Sequence, residues 1–190
     1  MHLLYLHGFL SSPTSLKAKQ TKTFVAEHYP HIHVHTPLLS GVPHVAVEQA
    51  EQAFKSLPST PIGIIGSSMG GFLAGIFAEK YDVKAALINP AVAPHLLFPD
   101  YIGEHTNPYT NEQFCLDESD ISSIEQHVLH GVKRPKNVQV YLGDADEVLD
   151  YRAALALYQD SECHVTQGND HAYPDFPQKL PAILDFFLSP

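Results

Sequence analysis

The residues with the clearest chemical potential lie in the pentapeptide at 66–70, Gly-Ser-Ser-Met-Gly, which matches the pattern G-x-S-x-G. An apolar run at 61–65 precedes it, and a stretch rich in small residues at 69–81 follows it, so the pattern stands between a predicted strand and a predicted helix. Such a turn strains the backbone of its central serine, raises the hydroxyl above a sheet, and needs glycines that avoid Cβ clashes. Ser68 is therefore the candidate nucleophile, because Ser67 lacks glycines at the same spacing.

The same glycines fit no common nucleotide-binding pattern. The sequence contains no Gly-Lys-Ser/Thr of a P-loop and no G-x-G-x-x-G of a dinucleotide site. A nucleophilic serine is favoured over a glycine turn without a chemical role.

A serine hydroxyl needs a base within hydrogen-bond reach to take its proton. Among the histidines downstream of Ser68, only His171 lies in a loop after the last predicted strand, within 168–171. His164 alternates inside that strand and is favoured as an ordinary strand side chain. The others fall in a long irregular segment or at its end: His95, His105, His127 and His130. We therefore predict His171 as the general base.

A carboxylate should orient that histidine, in the chain order Ser, Asp/Glu, His. The loop at 143–150 follows a predicted strand at 138–142 and is rich in acids. Asp146 stands far enough beyond the strand to turn towards the histidine, whereas Asp144 suits a turn cap and Asp150 suits a helix N-cap. The sequence favours Asp146 but leaves the other two open.

The second oxyanion donor is predicted from the first loop. His7-Gly8-Phe9 comes directly after the apolar run at 2–6. A glycine there lets the backbone approach a substrate carbonyl, so the Phe9 amide would join the Met69 amide as an oxyanion donor. His7 is expected to brace the loop and not to act as a base.

Short apolar runs alternate with helix-like stretches along the chain, which predicts an α/β fold: a mostly parallel sheet of about six strands, with helices on both faces. Ligand sites in such sheets lie at the carboxyl ends of the strands, where the motifs above fall. The predicted strands are 2–6, 32–36, 61–65, 83–88, 138–142 and 163–166. The predicted helices are 13–29, 42–57, 69–81, 151–158 and a last one to 187 that begins at Gln178 or at Pro181.

The stretch at 91–135 breaks this alternation. It carries several prolines and aromatic residues and is too long for an ordinary loop. We expect a small cap that roofs the site and selects the acyl group, within a single domain spanning 1–190.

The composition excludes several classes of protein. The 190 residues carry 11 basic and 21 acidic side chains, a formal charge of −10, which disfavours a nucleic-acid partner. No apolar run approaches the length of a membrane-spanning segment. The short apolar run at the N-terminus lacks the preceding basic residues of a secretory signal peptide, so we expect a cytoplasmic location. Cys115 and Cys163 have neither metal-ligand spacing nor the density of a disulfide scaffold.

Two further groups of residues carry side chains of the types that bind metal ions or phosphate. His31, His33 and His35 would share one face of a strand and could bind Zn²⁺ or Ni²⁺, but an exposed strand face is favoured. Three lysines lie early in the first predicted helix and could meet a phosphate-bearing substrate such as an acyl-CoA, although a solvated helix face is again favoured. These lysines are Lys17, Lys19 and Lys22.

Four motifs together resemble the YqiA/YcfP-type esterases of bacteria, a small branch of the α/β-hydrolase superfamily. They are YLHGF at 5–9, GSSMGG at 66–71, DEVLDY at 146–151 and DH at 170–171, and the resemblance extends from Leu4 to Leu188. It implies a three-layer α/β-hydrolase fold acting on carboxylic esters or acyl thioesters without a metal or organic cofactor. It also supports Ser68, Asp146 and His171 as nucleophile, acid and base.

The function predicted from the sequence is thus a serine esterase or thioesterase that works through an acyl-enzyme on a small-molecule substrate. Two alternatives stay open: an acyltransferase on the same residues, and a hydrolase-fold binding protein without turnover.

Overall fold

A six-stranded, wholly parallel sheet forms the centre of the computed structural model, which describes residues 1–189. The strand order is β2-β1-β3-β4-β7-β8, and a separate antiparallel hairpin pairs β5 with β6. The strands are β1 His2–Leu6, β2 His33–His35, β3 Gly63–Ser67, β4 Ala85–Ile88, β5 Gly103–Thr106, β6 Gln113–Leu116, β7 Val138–Gly143 and β8 Glu162–Thr166. The helices are α1 Leu16–His28, α2 Pro43–Lys55, α3 Met69–Tyr81, α4 Glu118–Glu125, α5 Tyr151–Leu157 and α6 Phe176–Leu188. The predicted α/β architecture is confirmed.

The alternation of side chains along β1 shows how the three layers form. Leu4 and Leu6 point to the core that α2, α3 and α5 cover, whereas Leu3 and Tyr5 point to the opposite core, covered by α1 and α6. All four side chains are essentially inaccessible to solvent. A strand buried on both faces explains the continuous apolar run in the sequence.

Several predicted boundaries were wrong, including the start of β4, which is Ala85 and not Val83. β3 begins two residues later than predicted and ends at Ser67, so that Ser68 follows it directly. β2 is only three residues long, and His31 lies outside it. Pro181 does not start the last helix but lies inside α6, which begins at Phe176 because its apolar face packs on the sheet along its whole length.

The segment between β4 and β7 contains the hairpin, α4 and short 3-10 turns. The Phe114 ring occupies the space where a side chain at Gly41 would stand, since a Cβ there would lie 2.0 Å from the ring. Polar links fasten the segment to the body of the fold: Asn107 Nδ2 to Ser11 O (2.9 Å), Gly41 N to Glu112 Oε2 (3.2 Å) and His44 Nδ1 to Asp120 Oδ1 (3.0 Å).

The helices of residues 1–189 include none that is both long enough and apolar enough to cross a membrane.

Candidate active site

Ser68 occupies the sharp turn between β3 and α3, with φ 57° and ψ −119°. This is a positive φ that residues other than glycine rarely adopt, and it is held by close backbone packing. A Cβ at Gly70 would lie 2.0 Å from the carbonyl oxygen of Leu6, and one at Gly66 would lie 2.1 Å from that of Gly70. Both glycines of the motif are therefore required by neighbouring backbone atoms.

His171 lies beside this hydroxyl. Its loop follows β8, and its Nε2 is 3.1 Å from Ser68 Oγ, a hydrogen-bond distance. The side chain is 23% exposed, so solvent reaches the ring. The structure thus brings together two residues separated by 103 positions in sequence.

Asp146 holds the other side of the imidazole. Its carboxylate oxygens lie 3.0 and 2.9 Å from His171 Nδ1, and Oδ1 also accepts hydrogen bonds from the amides of Val148 (2.9 Å) and Leu149 (2.8 Å). Burial alone would raise the pKa of this carboxyl, whose side chain is 1% exposed. The hydrogen bonds from the ring and the two amides outweigh burial, and the pKa of Asp146 lies below its ordinary value. With a proton on Nδ1, Nε2 is free to accept from Ser68.

The other acids of this loop have separate contacts. Asp144 Oδ1 accepts the Gly168 amide at 2.6 Å, and Asp150 caps the start of α5, as its position in the sequence predicts. Glu147 accepts the backbone N–H of His171 at 3.0 Å, and that bond holds the pKa of Glu147 below its usual range. Of the loop's carboxylates, Asp146 is the one that meets the imidazole.

Asn89 ties the two loops together, and the sequence did not point to it. Its buried amide donates from Nδ2 to the carbonyls of Asp170 (2.9 Å) and His171 (3.3 Å), while Oδ1 accepts the amide of Gly143 (2.8 Å). Its φ of 41° is one that asparagine tolerates. The available signal was a polar residue directly after a buried strand and before Pro90, which the sequence interpretation took only as a strand end.

The two backbone amides predicted as oxyanion donors lie close to the nucleophile turn in the chain or in space. Phe9 lies in the loop after β1, and Met69 is the first residue of α3. Within residues 1–189, neither amide donates a hydrogen bond to another protein group. The loop touches the turn, since a Cβ at Gly8 would lie 3.2 Å from the Ser68 Cβ. Within the described residues, both amides are thus without an acceptor.

His7 braces this loop and does not reach the serine. Its Nδ1 donates to the Gly8 carbonyl at 2.9 Å, and its Nε2 accepts the Leu39 amide at 3.1 Å. The ring is almost fully buried, and burial lowers its pKa, although the Gly8 carbonyl and the Glu112 charge act in the opposite direction. The neutral ring satisfies both partners.

The insertion supports the Phe9 side of the site. The Phe9 ring meets four aromatic rings edge-on, with centroids at 5.3 Å (Phe98), 5.5 Å (Tyr101), 6.1 Å (Phe114) and 6.2 Å (His105). Edge-to-face pairs of this kind stabilise a fold by more than the burial of their apolar area alone would. The insertion therefore fixes the loop that carries one of the two free amides.

Two spaces meet at Ser68. A cleft of about 450 Å³ runs between α1 and the loop of His171, and its lining includes Lys17, Tyr109 and Pro174. An apolar pocket of about 60 Å³ opens on the other side. That pocket is lined by insertion and acid-loop residues, including Leu97, Phe98, Tyr101, Val148 and Leu149.

The three histidines predicted to share a strand face and the two cysteines form no metal site within residues 1–189. His33 and His35 lie beside His2 of β1, with His2 Nδ1 2.9 Å from His35 Nε2. Among residues 1–189, no group of three or more His, Cys, Asp or Glu side chains has the arrangement of a metal site. Cys115 and Cys163 are both free thiols.

The model of the family described as Uncharacterised protein family (UPF0227) matches residues 2–188. The chain belongs to UPF0227. This match confirms the resemblance to YqiA/YcfP-type proteins.

Solved structures support the fold of this UPF0227 member. A putative hydrolase from Agrobacterium vitis S4 has a TM-score of 0.77 at 19% identity, covering 99% of this chain and 88% of that one. Alpha/beta hydrolase domain-containing protein 10 from mouse has a TM-score of 0.76 at 19% identity, covering 97% and 88%. The esterase domain of a Rhodothermus marinus protein has a TM-score of 0.67 at 18% identity, covering 96% and 84%. The fold is therefore that of the α/β hydrolases.

Proposed function

We propose that this protein is a serine hydrolase that cleaves carboxylic esters or thioesters through an acyl-enzyme. The observation that carries this proposal is the continuous chain of hydrogen bonds from Ser68 Oγ through the His171 ring to the buried Asp146 carboxylate. The serine at its end lies on a strained turn and lines an open cleft.

In the first half of the proposed reaction, His171 Nε2 takes the hydroxyl proton of Ser68 as Oγ attacks the ester carbonyl carbon. The carbonyl π-electrons move to oxygen, and the Phe9 and Met69 amides stabilise the resulting oxyanion. As the tetrahedral intermediate collapses, the bond to the leaving oxygen or sulfur breaks, and Nε2 returns the proton to that atom. The acyl group stays on Ser68.

In the second half, a water molecule takes the place of the leaving group and gives a proton to His171 Nε2. The resulting hydroxide attacks the acyl carbon, the bond to Ser68 Oγ breaks, and the proton passes from Nε2 to that oxygen. Asp146 stays ionised throughout and stabilises the imidazolium. The solvent-exposed edge of His171 supports water as the acceptor.

The reaction also assigns the two spaces around the serine. Nε2 must protonate the leaving atom, so the leaving group lies on the side of His171, in the 450 Å³ cleft. The acyl chain then enters the apolar 60 Å³ pocket, which has room for only a few carbon atoms. A short-chain acyl ester fits this division.

A fluorophosphonate probe tests the proposal most directly, because it reacts with an activated serine. Wild-type protein should be labelled and should hydrolyse p-nitrophenyl butyrate, whereas Ser68→Ala should do neither. Absence of wild-type labelling, or equal labelling of the two proteins, would exclude this mechanism and favour a role without turnover.

A series of p-nitrophenyl esters from acetate to decanoate tests the acyl pocket. We expect kcat/KM to be highest among the short chains and to fall once the chain exceeds the pocket. Leu97→Ala should move the optimum to longer chains, while Leu155→Ala, an exposed leucine on α5, should leave it unchanged. A flat chain-length profile would contradict this assignment.

A further inference from the structure

Lys17 lines the leaving-group cleft, whereas the other two lysines of α1 do not. Lys19 and Lys22 are exposed, and the Lys22 ammonium donates to the Thr36 hydroxyl at 2.7 Å. Lys17 is half-buried and shares its cleft with Ser68 and His171. The expectation that all three lysines form a solvated helix face is therefore wrong for Lys17.

The Lys17 ammonium has no partner in the described chain. It takes part in none of the ion pairs formed among residues 1–189, and its Nζ donates no hydrogen bond to them. Burial lowers the pKa of Lys17, although Asp170 and Asp146 act to raise it. The side chain is partly, not fully, removed from water, so its charge is less well solvated than that of an exposed lysine.

The two acids whose charges act on Lys17 have other hydrogen-bond partners. Asp146 binds the His171 ring, and Asp170 Oδ1 accepts the amide of Tyr173 at 3.2 Å. They contribute a field at Lys17 but no contact. The ammonium is therefore available to a group that enters the cleft.

The positive charge of Lys17 lies in an otherwise acidic protein. The protein carries a formal charge of −10, and the acid loop flanks the site, so the general field repels anions. Hydroxyl and amide side chains that share the cleft with Lys17 can add hydrogen bonds to an anion. They are Ser11, Ser15 and Gln20.

We propose that Lys17 selects substrates whose leaving group carries an anionic carboxylate or phosphate. The proposal rests on the hydrolase function above, because that function places the leaving group in the cleft lined by Lys17. In this arrangement the anion of the substrate supplies the counter-charge that Lys17 lacks. It also draws the leaving atom towards His171.

Matched esters test this selection. Butyrate esters of phenols that bear a carboxylate, a phosphate or a neutral carboxamide, each at the 3- or 4-position, differ mainly in charge. Wild-type protein should turn over one or both anionic series with higher kcat/KM than the neutral series, and the advantage should shrink with added salt. The carboxylate and phosphate series show which anion the cleft prefers.

Variants then assign the preference to one side chain. Lys17→Met should reduce the anionic-to-neutral ratio of kcat/KM by about tenfold, equivalent to about 1.4 kcal/mol. Lys17→Arg should retain the preference. Lys19→Met, a change of the same type on the exposed face of α1, is the matched control and should behave as wild type.

The outcomes separate this proposal from the hydrolase function. If wild-type protein hydrolyses neutral and anionic esters equally at low salt, or if Lys17→Met keeps the full preference, Lys17 has no such role while the hydrolase stands. If no ester is hydrolysed in a Ser68-dependent way, the hydrolase function itself fails. Should Lys17→Met hydrolyse neutral esters more slowly as well, its anionic-to-neutral ratio still decides, because a general loss of activity lowers both rates together and leaves the ratio at the wild-type value.

Discussion

The two flanks of Ser68 are held in place by different forces. On the oxyanion side, backbone atoms pack so closely that the motif glycines admit no Cβ. On the acid–base side, the loops of Asp146 and His171 are joined by hydrogen bonds, several of which pass through the Asn89 amide. The first flank is fixed by shape and the second by polar groups whose partners must all be present.

This difference predicts different responses to change. On the flank held by packing, a larger side chain causes a steric clash and lowers the stability of the whole fold. On the flank held by hydrogen bonds, the loss of one bond misplaces a single group, so activity falls more than stability does. Four variants test the contrast, and they follow from the largest expected effect to the smallest.

Asp146→Asn should lower kcat by about 10⁴-fold, because an amide at this position no longer favours the imidazole tautomer that accepts from Ser68. Steady-state hydrolysis of p-nitrophenyl butyrate measures the effect, and the melting temperature should change little. Asp144→Asn is the control, since the amide oxygen can still accept from Gly168. A larger loss in Asp144→Asn would transfer the role to that residue.

Gly70→Ala should destabilise the fold by about 3 kcal/mol or more, because the new Cβ would overlap the Leu6 carbonyl oxygen. Urea unfolding followed by circular dichroism measures the change. Gly131→Ala is the matched control, since a Cβ there meets nothing within 4 Å. Equal stability of the two variants would remove the steric account of this flank.

Asn89→Ala should lower kcat by about 10-fold to 100-fold, because it frees both loops and leaves the Gly143 amide without its acceptor. KM should change less than kcat, which distinguishes positioning from a loss of folded protein. Asn89→Asp keeps the acceptor but loses the donor to the His171 loop, so it should recover part of the activity. If both variants lose only stability, Asn89 is a structural residue alone.

The smallest expected effect is that of His7→Gln, which changes how the free energy of unfolding depends on pH. The folded pKa of His7 lies below the ordinary value of 6.5, so the neutral ring contributes stability that is fully present above pH 6.5 and is lost as the pH falls through the folded pKa. His7→Gln can still accept the Leu39 amide but does not titrate. The difference in unfolding free energy between wild type and this variant should be constant above pH 6.5 and change in favour of His7→Gln in acid. A difference independent of pH would contradict it.

The same contrast explains what could be predicted from the sequence. The Ser68 turn was predictable because its steric requirements, which involve Leu6 as well as the turn itself, fall on two glycines at a fixed spacing from the serine and so leave a local pattern. Asn89 was not, because its partners lie 54 to 82 positions away and an asparagine after a strand also suits an ordinary turn. Pro181 likewise misled, since tertiary packing keeps α6 helical around it.

The loop acids fall between these cases. A carboxylate after β7 was expected from chain order, but the choice among several acids depended on the path of the loop. That path is set partly by Asp144, whose bond to Gly168 joins the ends of β7 and β8. A contact between two strand ends has no local signal in the sequence.

The insertion is fastened to the body of the fold at Ser11, Gly41 and His44, so the residues that it contributes to the pocket beside Ser68 form a fixed wall. The leaving group of the proposed reaction lies in the cleft beside His171, where solvent also reaches the ring. In the proposed cycle the first product must leave by the route that the attacking water uses to enter. An alcohol that stays in this cleft delays the entry of water and can take back the acyl group. The position of the cleft therefore requires that the alcohol leaves before the carboxylic acid is formed and released.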